Sequence, residues 1–116
     1  MNIESLREYC LSLPDVEEAL PFGPDTLVYK VGGKIFLLTG LDEVDFRFNA
    51  KCDPDKAIEL REEYPCVIPG WHMNKKHWNT IVVDGSVSDK LLREWILHSY
   101  DLVKPTPKKT KNSLKR

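Results

Sequence analysis

The sequence predicts a two-layer α+β domain, an antiparallel sheet with helices packed on one face, in the order α-β(3)-α-β(2)-α. Three observations carry this expectation. The segment from Asp89 to Val103 places Leu91, Leu92, Trp95, Ile96, Ser99, Leu102 and Val103 within an arc of about 140° at 100° per residue, a strongly amphipathic helix. Two β-rich runs, Thr26 to Val31 and Lys34 to Thr39, are separated only by Gly32-Gly33, a pair suited to the positive φ angles of a tight hairpin turn. Strands grouped ahead of a helix and joined by short turns imply an antiparallel sheet with its helices together on one side.

The remaining elements follow from local signals. Asn2 can cap a first helix in which Ile3, Leu6, Cys10 and Leu13 recur at helical spacing and which Pro14 ends. Asp15 to Leu20 reads as one acidic turn, and Pro21-Phe22-Gly23-Pro24 as a loop. Val44 to Asn49 alternates, so Val44, Phe46 and Phe48 are expected to face the core, with Asp45, Arg47 and Asn49 facing solvent or a ligand. Asp53-Pro54 starts a second helix with a capping aspartate and a proline in its first turn, running to Tyr64 and Pro65. Cys66 to Ile68 is extended, Thr80 to Val83 is a further strand, and Ser88 caps the last helix. Ser99 lies near the middle of that helix's apolar arc, where its hydroxyl is expected to bond the carbonyl four residues back.

Composition sets the limits. The chain has 116 residues and is 41% hydrophobic, enough for one ordinary core, placed at residues 1–103. The longest apolar run, Ile35 to Leu38, is far short of the ~20 residues of a membrane span. With no signal-peptide pattern at Met1-Asn2-Ile3-Glu4, cytoplasmic residence is the expectation. Cys10, Cys52 and Cys66 form no CxxC and read as free thiols. The formal charge of −1 is unevenly placed: from Leu102 on there are six basic residues and no acid, leaving 11 basic against 18 acidic residues, a net of −7, in the rest. Residues 104–116 hold one aliphatic side chain among lysines, prolines and threonines, and read as a disordered basic tail.

One stretch concentrates binding chemistry. Trp71 to Thr80 carries two of the three tryptophans, two of the three histidines and two adjacent lysines. The candidate contact residues are Trp71, His72, Asn74, Lys75, Lys76, His77 and Trp78, extended by Lys30, Lys34 and Arg47 on the strands. Lysines can contact phosphate while an indole stacks on an unpaired base. Phosphate contacts dominate such affinity, so a body at −7 binds a polyanion only if its cations are segregated. The other candidate partner is a protein segment, or a second copy of the chain, received on the same aromatic surface. A purely structural use expects the indoles to cover the sheet and Asn74 to tie the turn together. His72, His77 and Lys75 have no nucleophile or orienting carboxylate beside them in sequence, so no catalytic constellation forms and no enzyme is expected. The two histidines, five apart with no further ligand at spacing, imply neither a metal nor a cofactor.

The run His72-Met73-Asn74-Lys75-Lys76-His77-Trp78-Asn79-Thr80, followed by a strand and Asp84-Gly85, resembles the central motif of the MmcQ/YjbR-like proteins. The first helix ending near Leu13-Pro14, the hairpin from Val31 to Lys34 and Ser99-Tyr100 are similar too. The resemblance implies a small cytoplasmic bacterial domain with the element order given above, similar to secretion-chaperone-like folds. It also implies a DNA-binding role through a double wing of β-hairpins, and it brings no catalytic residues.

Overall fold

The computed structural model describes residues 1–70 and 73–105. Trp71 and His72 lie outside them, as does the expected basic tail beyond Pro105. The elements are α1 (Ile3–Ser12), β1 (Val16–Ala19), β2 (Thr26–Val31), β3 (Lys34–Gly40), β4 (Arg47–Lys51), α2 (Pro54–Glu63), β5 (Val67–Pro69), β6 (Trp78–Val82) and α3 (Asp89–Val103). Six strands form one antiparallel sheet in the order β1-β2-β3-β4-β6-β5. The helices share one face. Leu6 and Cys10 of α1 and Leu92, Trp95, Ile96 and Tyr100 of α3 close over Tyr29, Phe36, Leu37, Phe48 and Ala50 of the sheet. The α+β class and the two-layer arrangement are as the sequence implies.

Local chemistry sets the helix ends. Asn2 accepts from the Ser5 amide at 2.8 Å while the Ser5 hydroxyl accepts from the Asn2 amide at 2.9 Å, which satisfies two otherwise orphaned donors. Asp53 caps α2 and Ser88 caps α3 in the same sense.

Three sequence expectations are corrected. The acidic turn at Asp15 to Leu20 is instead the edge strand β1. Asp15 takes a left-handed conformation (φ 63°) that reverses the chain, and Glu18 then accepts from Arg7 at 2.8 Å and from the Tyr29 hydroxyl at 2.9 Å. Pairing with β2 satisfies backbone groups that a lone acidic turn would leave to water. The strand expected at Val44 to Asn49 begins only at Arg47, and Val44 is fully exposed rather than in the core. A bidentate Arg47–Asp45 pair (2.8 and 3.0 Å) holds the residues before β4 as a loop, while Phe48 and Ala50 keep the inward phase.

The Ser99 hydroxyl does not bond its own helix. It donates to the Phe36 carbonyl at 2.5 Å and accepts from the Lys51 amide at 2.9 Å. The β2–β3 register shifts between Tyr29 and Lys30, so Phe36 has no partner there, and both Phe36 and Leu37 enter the core. The β3–β4 ladder stops at Leu37 and Ala50, and the buried serine bridges the next two backbone groups.

Candidate functional site

Strand register assigns each candidate among the described residues to one end of the sheet or the other. Lys34 opens β3 and Gly40 closes it; Leu37 faces Ala50, so Lys51 lies toward the Lys34 end and Arg47 toward the Gly40 end. Trp78 pairs with Lys51, and Val82 with Arg47. Because β6 lies between β4 and β5, the β5–β6 connection emerges at the same end of the sheet as the Gly32-Gly33 turn of the β2–β3 hairpin. Lys30, Lys34, Asn74, Lys75, Lys76, His77 and Trp78 are therefore brought to one end. Arg47 is not: it stands at the opposite end, tied to Asp45.

The connection is built by short-range bonds. The Asn74 side-chain oxygen accepts from the Lys76 amide at 2.9 Å and from the His77 amide at 3.3 Å, an Asx turn of the kind a structural use of Asn74 expects. Lys75 Nζ donates to the Gly70 carbonyl at 3.0 Å, and the Arg61 guanidinium donates to the Lys75 carbonyl at 2.9 Å, which fastens the turn to α2. His77 presents its carbonyl to the Cys52 amide at 2.7 Å. Gly70 permits the closure: a Cβ there would sit 2.8 Å from the Trp78 Cβ and 2.9 Å from the Trp78 carbonyl oxygen. Trp78 is half-buried on the face away from the helices, and Asn74, Lys75 and Lys76 are exposed.

Charge is polarised along the strands. The hairpin end carries Lys30, Lys34, Lys51, Lys75 and Lys76, none in an ion pair among the described residues. Lys56, in the first turn of α2, and Lys104, capping α3, lie at this end too, the latter paired with Asp101 at 3.0 Å. Acids are fewer here but present: Asp15 precedes β1, Glu17 faces Lys30 across the β1–β2 ladder, Asp53 and Asp55 open α2, and Asp101 pairs with Lys104. The Gly40 end carries Asp25, Asp42, Glu43, Asp45, Asp84 and Asp89, with Arg47 committed to Asp45 and the chain's amino group to Asp89. Pro105 packs on the Gly32 backbone, where a Cβ would meet its Cγ at 2.6 Å, so the described chain ends beside the β2–β3 turn.

The other titratable groups are structural in placement. Burial pushes the Cys10 thiol up to about 12, and burial also raises Cys52, so neither is a thiolate near neutrality. Cys66 is buried. His98 Nε2 accepts from the Asp53 amide at 3.2 Å, and burial together with the nearby Lys56 cation holds the imidazole below its usual range. Among the described residues no group of three or more His, Cys, Asp or Glu is placed to hold a metal ion, and no helix is long and apolar enough to cross a membrane. Asn49 and Thr80 are adjacent on the helix-free face and bonded side chain to side chain. From sequence Asn49 is expected only to face solvent or a ligand and Thr80 only to end the Trp71 to Thr80 stretch, and neither is among the candidate contact residues. Their strand phase marks the face, but their neighbours come from β3 and the loop before β4.

Comparison with known proteins agrees with this fold. The family model YjbR matches residues 11–102. The Escherichia coli O157:H7 protein YbdF is 45% identical over 101 residues, covering 86% of this chain and 82% of its own. YjbR of Escherichia coli K12 is 31% identical over 102 residues, covering 86% and 85%. The crystal structure of Deinococcus radiodurans protein DR2400, a DUF419 domain, superposes with a TM-score of 0.83 at 40% identity, over 87% of this chain and 77% of that one. A Pseudomonas syringae protein shares the fold with a TM-score of 0.78 at 24% identity, over 90% of this chain and 100% of its own. The chain belongs to the YjbR family.

Proposed function

We propose that this protein is a non-catalytic binding module that engages the phosphate backbone of DNA through the end of the sheet where the β2–β3 and β5–β6 connections emerge. The observation that carries this reading is the polarised charge. The acidic total of the body argues against polyanion binding only if cations and acids are evenly mixed, and the strand register gathers more of the cations at one end and more of the acids at the other. Lys34, Lys75 and Lys76 stand on turns, exposed and outside the described ion pairs, which suits contact with phosphate. The two hairpins lie three strand spacings apart, on the order of 14 Å, close to the ~12 Å width of a duplex major groove. Contacts on the two backbones that border one groove fit that spacing better than a single-stranded track does.

The second reading, a protein partner or a second copy on the same aromatic surface, has less support. None of the large exposed apolar side chains among the described residues belongs to the β5–β6 connection: Leu20 and Phe22 follow β1, Leu41 and Val44 precede β4, and Leu11, Ile58, Leu97 and Leu102 are on the helices.

The test is the anisotropy of a labelled duplex titrated with the full chain between about 50 and 200 mM salt. Affinity is expected to fall with a log–log slope near −0.9 per phosphate contacted, and Lys75→Ala with Lys76→Ala to lessen that slope by about 2. A variant with Lys108, Lys109, Lys111, Lys115 and Arg116 changed to serine should still bind at the low-salt limit. If only the chain with its basic tail binds, the domain has no such interface.

A further inference from the structure

At the acidic end, on the face of the sheet away from the helices, lies a cleft of about 320 Å³. Its walls differ in chemistry. Glu43 folds over the bare Cα of Gly40, where a Cβ would sit 2.8 Å from its Cγ and 2.9 Å from its Oε2. Among the described residues its carboxylate has neither a hydrogen bond nor an ion pair. Opposite stand Arg47 and Asn49, side by side on one face of β4. Asp45 occupies two of the guanidinium's five N–H donors, leaving three. Asn49 uses its carbonyl to accept the Thr80 hydroxyl, which fixes the amide and leaves its NH₂ group to donate. A second hollow of about 180 Å³ shares Gly40, Glu43 and Asn49 with the first and is floored by Leu38, with Met73 above it.

We propose that this cleft binds a small zwitterion, an α-amino acid with an apolar side chain, with its carboxylate on Arg47 and Asn49 and its ammonium on Glu43. The side chain then enters the Leu38–Met73 hollow. A purely anionic ligand would leave the Glu43 carboxylate facing like charge. A purely cationic one would answer Glu43, and Asp45 already offsets the charge of Arg47, but it would leave three guanidinium N–H donors and the Asn49 amide without an acceptor. Only a ligand with both charges answers both walls, and the combined space is at the small end of ligand pockets. The site's charged walls lie at the opposite end of the sheet from Lys34 and Lys51. Met73 belongs to the connection that carries Lys75 and Lys76, but neither of those lysines lines the cleft, so the site stands or falls separately from the nucleic-acid reading.

The experiment follows backbone amide shifts of Gly40, Asn49 and Thr80 in the full chain on titration with L-leucine, N-acetyl-L-leucine and L-leucine methyl ester. L-leucine is expected to move these three signals saturably, and each blocked derivative to bind at least about tenfold more weakly, the loss of one charge-assisted bond. Glu43→Gln should weaken L-leucine by a similar factor while leaving the N-acetyl form unchanged. Equal binding of all three compounds would overturn the proposal. So would no shift at about 10 mM ligand, or a Glu43→Gln protein that binds L-leucine as the parent does.

Discussion

Replacing Ser99 with alanine removes one oxygen and almost no volume, so its cost measures the bridge between β3 and β4. The hydroxyl satisfies two backbone groups at once, the Phe36 carbonyl and the Lys51 amide, and Ser99 itself is 0% exposed. Alanine leaves both without that partner. An unsatisfied buried backbone group costs about 1–3 kcal/mol, and the Lys51 amide, being only partly buried, belongs at the lower limit. The sum is about 2–4 kcal/mol, a large share of the 5–15 kcal/mol typical of a small domain. Urea unfolding of the two proteins reads it directly as a lower midpoint at unchanged slope. Ser12→Ala is the control, because that exposed hydroxyl bonds only the Tyr9 carbonyl of its own helix and should change stability by less than about 0.5 kcal/mol. If Ser99→Ala is no more destabilising than Ser12→Ala, the hydroxyl does not close the sheet and the account of the β3 irregularity fails.

Two further outcomes follow from contacts around the same end. Gly70→Ala should destabilise the fold and loosen the β5–β6 connection, since the nearest atoms to a new Cβ include Trp78 backbone at 2.9 Å; the checks are urea midpoint and broadening of the Lys75 and Lys76 amide signals. His98 gives a pH dependence: its folded value lies below the unfolded value of 6.5, so the unfolded chain takes up the proton first as pH falls. Its contribution is complete above about 6.5 and is lost as pH drops below that, levelling once the folded imidazole also protonates. Urea midpoints at pH 7.5 and 5.5 should therefore differ less for His98→Gln than for the parent, and an equal difference would mean that His98 is not held neutral.

What could be read in the sequence was what depends on near neighbours. The arc of α3 and the capping residues are local, as is the Gly32-Gly33 turn, whose two glycines take φ of 61° and 80°. β1 was not legible because its strand character comes from a distant pair of partners: Glu18 is held between Arg7 of α1 and Tyr29 of β2, and two adjacent glutamates carry no β signal of their own. Val44 shows the converse. It has the right phase for a buried strand residue, but Asp45 clamps Arg47 and turns the chain away before the ladder begins. Arg47 is separated from Lys30, Lys34 and Lys75 for a topological reason. All are cationic and outward-facing, yet Lys34 and Arg47 open two neighbouring antiparallel strands and so lie at opposite ends, and the insertion of β6 between β4 and β5 sends Lys75 to the Lys34 end.

The distance between the two ends bears on the electrostatic objection raised by composition. From Lys34 to Gly40 the strand rises roughly 20 Å, whereas charges in physiological salt are screened over about 8 Å. Phosphates held at the lysine end therefore interact chiefly with the lysines and with the few acids beside them, and hardly with Asp42, Glu43 or Asp84 at the far end. Net charge describes how the whole molecule moves in a field; it does not describe a contact smaller than the molecule. The same separation works in the other direction: the cleft between Glu43 and Arg47 is screened from Lys34 and Lys51, so its balance of two carboxylates, Glu43 and the Arg47-paired Asp45, against one guanidinium is decided by its own walls. A sheet only six strands wide can in this way present two ends of different character, because the β2–β3 and β5–β6 connections turn at the lysine end while the β1–β2 and β3–β4 connections turn at the other.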